Sequence, residues 1–332
     1  MGELYGRSID EALRRSGSAA QVAAVEASMR SDGPDAGTRR LRVIAGDLDI
    51  ELLPDRGLDL GQVRHRGVPL AWVSPTGWPR PGAAGFGASF GGGLVTTCGL
   101  LSFGPPSVDA EGEHPQHGRF SGLSASVTRA EARADAVVVE ATVVEATVLG
   151  AHVELRRRLR VPLGAGRIEL RDEIVNRGSR VVEPMVLYHV NLGWPLVDAG
   201  TVLRSPADRV EPRDAAAEAG LDGWAEFPEQ VADYPEQVFR HELPSDRRVS
   251  AEVIAASGLG IRISFDTTVL PAMFQWRVAQ DDGLVLGVEP ATAPTIRGRA
   301  AAREAGLLRA LAPGASWELG LDIDVIRNRS ET

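Results

Sequence analysis

Apolar and polar residues alternate with a period of two along most of the chain. The clearest run is residues 167–175, Arg-Ile-Glu-Leu-Arg-Asp-Glu-Ile-Val. Runs of this kind, separated by short turns, are typical of β-strands with one buried face. The pattern predicts strands over residues 22–29, 40–44, 48–52, 137–139, 142–148, 152–159, 167–175, 186–190, 249–255, 260–265, 284–288 and 317–325.

Helical patterns are few. Residues 8–15 are typical of a short helix capped by Ser8, and residues 214–221 predict one or two further turns. A parallel sheet would need more crossover helices than this. The sequence therefore predicts an all-β fold, a large antiparallel β-sandwich or barrel. We expect one domain over residues 1–332, with a short helical extension over residues 1–20.

Residues 74–117 differ from the rest because they are rich in glycine and proline and show little alternation. A loop of this length in a compact chain is usually functional or disordered. It contains Trp78, Phe86, Phe90 and Phe103, so we expect an ordered loop that frames a cleft. Its glycines match neither the dinucleotide-binding spacing nor the P-loop spacing.

The composition narrows the functional classes. A formal net charge of −9 over 332 residues argues against electrostatic binding of nucleic acid or anionic membranes. All 36 basic residues are arginine, which excludes a lysine Schiff base. The single cysteine, Cys98, excludes an internal disulfide and a multi-cysteine zinc site. Residues 1–20 lack an apolar signal segment and no long apolar run follows, so we expect a cytoplasmic protein.

Three stretches carry candidate chemistry. In residues 187–195, His189, Asn191 and Trp194 come where Gly193 and Pro195 end a strand. Polar and aromatic groups at the end of a strand suit a small polar ligand. The alternative is a core histidine that is hydrogen-bonded to a backbone carbonyl.

The second stretch, residues 114–119, offers His117 beside Gly118 and Arg119, whereas His114 reads as an exposed loop histidine. In the third, Glu289 ends an apolar strand just before Pro290. Burying a carboxylate there costs free energy unless it is paired with another group or serves a function. The alternative is a glutamate exposed at a strand terminus.

Together, several short motifs resemble the aldose 1-epimerase (galactose mutarotase-like) superfamily, and more closely a bacterial branch of it. They are spread in order over nearly the whole chain: residues 54–59 (PDRGLD), 97–100 (TCGL), 117–119 (HGR), 188–193 (YHVNLG), 212–214 (PRD) and 287–292 (GVEPAT). The resemblance implies a supersandwich, a large antiparallel β-sandwich, which agrees with the strand pattern.

The resemblance also implies roles for the candidate residues in the interconversion of sugar anomers. His189 would protonate the ring oxygen of the sugar, Glu289 would take the proton of the anomeric hydroxyl, and His117 would support the ring oxygen and the hydroxyls. Histidine and glutamate suit these roles because their usual pKa values lie near 6.5 and 4.3. A small-molecule sugar is the expected partner, with no cofactor and no metal.

For substrate binding the resemblance points to Arg119, Arg56, Asn191, Trp194 and Trp276, with Trp72 as a further aromatic candidate. Arg119 is favoured over Arg56 because it adjoins His117. Arg299 and Arg303 have no counterpart in the wider superfamily and could serve a charged sugar, so neutral and acidic sugars both remain open. The aspartate that binds sugar hydroxyls in the superfamily has no clear match here.

Two other functions remain open from the residues. His114, His117, His189 and Glu289 would make a ligand set for a divalent ion, as in a metal-dependent sugar isomerase, epimerase or lyase. A non-catalytic carbohydrate-binding domain would bind sugar without exchanging anomers. The sequence leaves the oligomeric state open.

Overall fold

A computed structural model describes residues 2–82, 85–281 and 283–327. Its strands, numbered in chain order, are β1 (Glu3–Leu4), β2 (Arg7–Ser8), β3 (Ala23–Met29), β4 (Arg39–Ala45), β5 (Leu48–Leu53), β6 (Asp59–His65), β7 (Val68–Pro69), β8 (Val95–Cys98), β9 (Ser107–Asp109), β10 (Gly112–His114), β11 (Ser126–Ala132), β12 (Ala136–Ala146), β13 (His152–Pro162), β14 (Arg167–Asn176), β15 (Leu187–Gly193), β16 (Val202–Arg204), β17 (Arg209–Pro212), β18 (Gln237–Glu242), β19 (Arg248–Ile254), β20 (Leu259–Asp266), β21 (Ala272–Gln280), β22 (Gly283–Ala291) and β23 (Ser316–Arg327).

The helices are short. They are α1 (Ile9–Arg15), α2 (Phe86–Ser89), α3 (Ala215–Glu218) and α4 (Arg299–Glu304), with 3₁₀ turns at Ala19–Gln21, Phe120–Gly122 and Leu221–Gly223. The predicted helix near the N-terminus is confirmed, because the Ser8 hydroxyl caps α1 by accepting a hydrogen bond from the Glu11 amide. Among the described residues, no helix has the length and apolar character needed to cross a membrane.

Two large antiparallel sheets form the predicted β-sandwich. One sheet has eight strands in the order β11-β12-β13-β14-β23-β20-β19-β16. The other has the order β17-β18-β21-β22-β15-β8-β6-β5-β4-β3, with β7 paired to β6. This architecture agrees with the fold class predicted from the sequence.

The main hydrophobic core contains residues of both large sheets. On β15 and β22, Val190 and Val288 belong to this core, whereas Leu187 and Ala291 belong to a second, smaller cluster on the opposite face. Successive residues of a strand point to opposite faces. The other residues that share the face of Leu187 and Ala291 can therefore form a site on the outer surface of the larger sheet.

The prediction of a loop over residues 74–117 is correct for its glycine-rich parts but missed the central strand β8. All four residues of β8 are buried. A strand covered on both faces shows no polar alternation, and glycines precede and follow it. β8 matters because it pairs with β15, with Thr96 opposite His189.

A polar network lies inside the sandwich directly behind β8 and β15. The Arg157 guanidinium donates hydrogen bonds to both carboxylate oxygens of Asp172, at 2.9 and 2.7 Å, and to Asp59 at 2.8 Å. The same carboxylates accept hydrogen bonds from the Tyr188 and Thr97 hydroxyls at 2.7 Å. These five side chains are buried, and they connect the eight-stranded sheet to the strands beneath His189.

Candidate active site

His189 and Glu289 form a close pair on neighbouring strands of the larger sheet. The register pairs Val190 with Val288 and Leu187 with Ala291, which places His189 opposite Glu289. His189 Nε2 lies 3.3 Å from Glu289 Oε1. The two residues are only 5% and 2% exposed. The polar side chains therefore meet on the outer face of the sheet, while the valines beside them pack into the core.

His117 reaches the same place from the loop that follows β10. Its ring centroid lies 6.0 Å from that of His189. Its φ of 57° is in the left-handed region, where a non-glycine residue is strained and often functional. The next residue, Gly118, passes so close to the backbone that an added Cβ would lie 2.4 Å from the Ser102 carbonyl oxygen. This close packing holds His117 over the pair.

Aromatic side chains pack around the two histidines of the site. Phe90 and Trp276 lie 5.2 and 5.3 Å from His189 between ring centroids, and Phe86 lies 4.5 Å from His117. Trp72 packs edge-on against Trp276 at 5.7 Å. Phe86 and Phe90 come from the glycine-rich segment that was expected to frame a cleft. Aromatic surfaces of this kind suit the apolar face of a sugar ring.

Burial shifts the pKa of each titratable group in the site toward its neutral form. It lowers the pKa of His189 to about 3, with a further contribution from the charge of His117, and lowers that of His117 to about 4. Burial raises the pKa of Glu289 to about 8, and the charge of Glu236 adds to the effect. Buried groups with such perturbed pKa values, lying close together, are candidates for acid–base chemistry.

Several buried polar atoms of the site lack a hydrogen-bond partner within the described part of the chain. They are Nδ1 of His117 and of His189, Oδ1 of Asn191 and Nε1 of Trp276. The amide group of Asn191 donates to the carbonyls of Gly93 and His189, both at 2.9 Å, which ties the end of β15 in place. Buried polar atoms are normally paired, so these atoms have unused hydrogen-bonding capacity for a ligand.

The other residues predicted to bind substrate lie apart from this pair or are engaged elsewhere. The Arg119 side chain is 42% exposed and donates a hydrogen bond of 3.0 Å to the buried carboxylate of Glu145. Trp194 is 65% exposed. Of the predicted binding residues, the structure brings Asn191 and Trp276 to the site.

Arg56, which is buried, donates hydrogen bonds to the backbone carbonyls of Ser89, at 3.1 Å, and of Pro79. Arg56 thus holds the segment that carries Phe86 and Phe90.

Replacing Arg56 by leucine is expected to loosen this segment, because two carbonyl oxygens lose a charged donor. Hydrogen–deuterium exchange should become faster for amides within residues 85–93, by about tenfold if one charged hydrogen bond of about 1.5 kcal/mol is lost. Arg66→Leu is the control, since Arg66 is exposed and its ion pair is with the partly exposed Asp47. Unchanged exchange in residues 85–93 would contradict this role of Arg56.

Arg299 and Arg303 form a separate ionic cluster. Arg299 is completely buried and donates to the carbonyls of Leu101 and Glu183, both at 2.6 Å. Both arginines also pair with carboxylates, namely those of Asp109, Glu111 and Glu183. Both guanidinium groups are therefore engaged within this cluster.

The proposed four-residue metal set is not assembled. His114 was expected to be exposed, but its side chain is largely buried on β10, with Nε2 2.9 Å from Asp109. In the part of the chain that the structure describes, the ligand atoms that lie within 4.8 Å of one another belong to Asp109, Glu111 and His114. Arg299 and Arg303 already pair with these carboxylates. His117, His189 and Glu289 lie outside this group.

No sequence pattern indicates a site role for Phe86, for Phe90 or for Gly287, which lies beside the pair on β22. Phe86 and Phe90 were placed in the cleft loop, but nothing in their pattern shows which aromatic group would cover a histidine. Gly287 had only its unusual position inside an apolar run as a signal.

Comparisons with known proteins agree with this architecture. Residues 35–325 match a family described as a domain of unknown function, DUF4432, and the chain belongs to this family. No curated protein sequence matches the chain significantly.

Several solved structures are similar in fold. A proposed aldose 1-epimerase from Klebsiella pneumoniae is 23% identical, with a TM-score of 0.83 over 96% of this chain and 86% of the other. A galactose mutarotase-like protein from Clostridium acetobutylicum is 12% identical, with a TM-score of 0.67 over 93% and 100% of the two chains. A galactose 1-epimerase from Lactobacillus acidophilus is 13% identical, with a TM-score of 0.60 over 92% and 100%. The predicted resemblance to galactose mutarotase-like proteins is thereby confirmed at the level of the fold.

Proposed function

We propose that this protein interconverts the anomers of an aldose by general acid–base catalysis at His189 and Glu289. The observation that carries the proposal is the 3.3 Å contact between His189 Nε2 and Glu289 Oε1 in an aromatic enclosure. The two oxygens that exchange protons in this reaction, the ring oxygen and the anomeric hydroxyl, are bonded to the same carbon. An acid and a base that lie in contact can each reach one of these two neighbouring oxygens.

The proposed reaction balances without an external reagent. Glu289 takes the proton of the anomeric hydroxyl, a C1=O bond forms, and the bond between C1 and the ring oxygen breaks. The ring oxygen receives that electron pair and a proton from His189. Rotation about C1–C2 and reversal of both transfers give the other anomer. His117 lies beside His189 and supports the ring oxygen and the neighbouring hydroxyls.

The pair holds one proton across the neutral pH range. Glu289 retains its proton up to a pKa of about 8, whereas His189 is neutral above a pKa of about 3. The reactive arrangement, glutamate ionised and histidine protonated, contains the same number of protons. It is therefore reached by a proton transfer across the pair, and the two pKa values are best treated as properties of the pair.

The catalysed rate should fall as the pH rises through about 8. Above this pKa the pair loses its single proton, so no acid remains for the ring oxygen. Below the pKa the one-proton form persists, and kcat/KM should be nearly flat between about pH 5 and 7. NMR saturation transfer between anomers, corrected for the buffer rate, measures this profile. A catalysed rate that rises through pH 8 would show that the acid is not needed.

A neutral aldose fits the site better than an acidic one. The arginines considered for a charged sugar are engaged elsewhere: Arg56 binds loop carbonyls, Arg119 binds a carboxylate, and Arg299 is buried in the ionic cluster. Arg213, whose charge acts on Glu289, is paired with Asp214 and Glu236. None of these four arginines is therefore left to compensate the charge of an anionic sugar beside the buried glutamate.

The experiment that tests the proposal is anomer exchange on a panel of neutral aldoses, uronic acids and sugar phosphates. We expect wild-type protein to accelerate exchange for at least one neutral aldose. If no sugar exchanges faster than in buffer, the proposal fails. Saturable sugar binding without exchange would favour the non-catalytic carbohydrate-binding function instead.

A further inference from the structure

Gly287 occupies an unusual position in the middle of β22. It is buried, and the register places it opposite Trp276 on β21 and Asn191 on β15. Glycine weakens the interior of a strand and commonly marks a place where another group approaches closely. Its φ lies outside the left-handed region, so the backbone conformation does not require glycine. Glycine is therefore explained by the space that a side chain at position 287 would occupy on this face of the sheet, and by the atoms that it would contact there.

That space is taken by the catalytic pair. A Cβ atom added at Gly287 would lie 2.8 Å from Glu289 Oε1, 3.1 Å from Trp276 Cβ and 3.3 Å from His189 Cε1. Non-bonded carbon atoms prefer about 3.5–4.0 Å. Any side chain at position 287 would therefore press on the carboxylate and on the imidazole at once.

The strand geometry explains this contact. Residues two apart on a strand share a face, so Glu289 lies on the same face as Gly287. Its carboxylate leans back along β22 over Gly287. Phe274 lies opposite Glu289 on the β21 side, and His189 lies on the β15 side.

We propose that Gly287 is a positioning residue that allows the Glu289 carboxylate to lie against His189. The inference rests on the proposed function and deepens it, because it assigns a role to a residue with no titratable group. An alanine at position 287 would displace first the flexible end of Glu289, which holds the nearest of these atoms. The acid–base pair is then separated. A misplacement of about 1 Å in an active site can lower a rate by about 10²-fold.

The chain offers a matched control on the same strand. Gly283 begins β22 and likewise has a φ outside the left-handed region. Among the described residues, a Cβ added there would have Trp72 Nε1 within 4 Å, at an ordinary distance of 3.6 Å. Gly283→Ala therefore repeats the chemical change in the same strand without reaching the pair.

The first test compares Gly287→Ala and Gly283→Ala with wild type by NMR anomer exchange. Gly287→Ala is expected to lower kcat by about 10-fold to 100-fold, while Gly283→Ala stays within about twofold of wild type. The alkaline limb of the pH profile, which lies near 8 in wild type, should also move in Gly287→Ala. A purely structural role would leave the position of this limb unchanged.

A second-site variant separates the effect on the carboxylate from general damage. Glu289→Asp shortens the side chain by one methylene, so its carboxylate cannot reach over position 287. Adding Gly287→Ala to Glu289→Asp should then lower the rate by less than about threefold, and the two changes should be strongly non-additive. Full additivity would overturn the proposal.

Direct titration of Glu289 by ¹³C NMR, with labelled glutamate and Glu289→Gln for assignment, keeps this inference separate from the proposed function. We expect a different pKa in Gly287→Ala and an unchanged one in Gly283→Ala. The same Glu289 pKa in all three proteins would overturn the positioning role, even if wild type exchanges anomers. If the Glu289 pKa shifts in Gly287→Ala but wild type exchanges no sugar, the proposed function is overturned. The contact between position 287 and the Glu289 carboxylate would then still be supported.

Discussion

Glu289→Gln is expected to lower the catalysed rate of anomer exchange by about 10²-fold to 10⁴-fold, the usual contribution of one general acid or base. Glutamine has nearly the same shape, so the contacts of position 289 with its neighbours are kept. It cannot accept the proton of the anomeric hydroxyl. NMR saturation transfer on the sugar that wild type exchanges fastest measures the loss.

His189→Asn is the companion variant, because it removes the proton donor on the other side of the 3.3 Å pair. Both variants should still bind sugar, as saturation-transfer difference spectra would show. Exchange at the wild-type rate in Glu289→Gln would rule out acid–base catalysis by this residue. If the wild-type protein binds sugar but exchanges no anomers, this would indicate a carbohydrate-binding domain.

Arg157→Met is expected to have the largest effect on stability, lowering the free energy of unfolding by about 3–5 kcal/mol. The side chain is completely buried between Asp59 and Asp172. Methionine fills part of the volume but leaves two buried carboxylates without their cation. Urea unfolding monitored by tryptophan fluorescence measures the difference.

Arg158→Met provides the control, since it changes the next residue of β13. The Arg158 side chain is 51% exposed and lies 3.5 Å from Glu140. Exposed pairs of this kind contribute about 0–1 kcal/mol. Similar losses in both variants would mean that the internal network does not stabilise the fold. The network also supports β15 from behind through Tyr188, so Arg157→Met should reduce anomer exchange as well.

Much of the fold could be predicted from the sequence because the strands carry their own local pattern. In β14, one face is buried and the other is polar, and the buried face carries the apolar Ile168, Leu170 and Ile174 as well as Asp172. The Ser8 cap of α1 could be predicted for the same reason, because it depends on residues that are close in the sequence. β8 had no such pattern, because both of its faces are covered.

The candidate site was only partly predictable. His117, His189 and Glu289 were predicted as polar groups at strand ends or in a glycine-rich loop, and the structure brings them together. The predicted strand ends were wrong, because His189 lies within β15 and β22 continues past Glu289 to Ala291. Arginines carried no comparable information. A guanidinium can bind a substrate, a carbonyl or a carboxylate, and the sequence pattern is the same in each case. The partners of Arg56, Arg119 and Arg299 could therefore not be predicted from the sequence.

By itself, the sequence determined the strand pattern, the all-β class and the kinds of residue available for acid–base chemistry, since these depend on composition and local periodicity. Only the tertiary structure decided that His189 stands opposite Glu289, that Phe90 covers them and that Gly287 leaves room for the carboxylate. The first two contacts join residues about a hundred positions apart in the sequence. Strand register sets them, and a shift of one residue would turn the pair to the other face of the sheet.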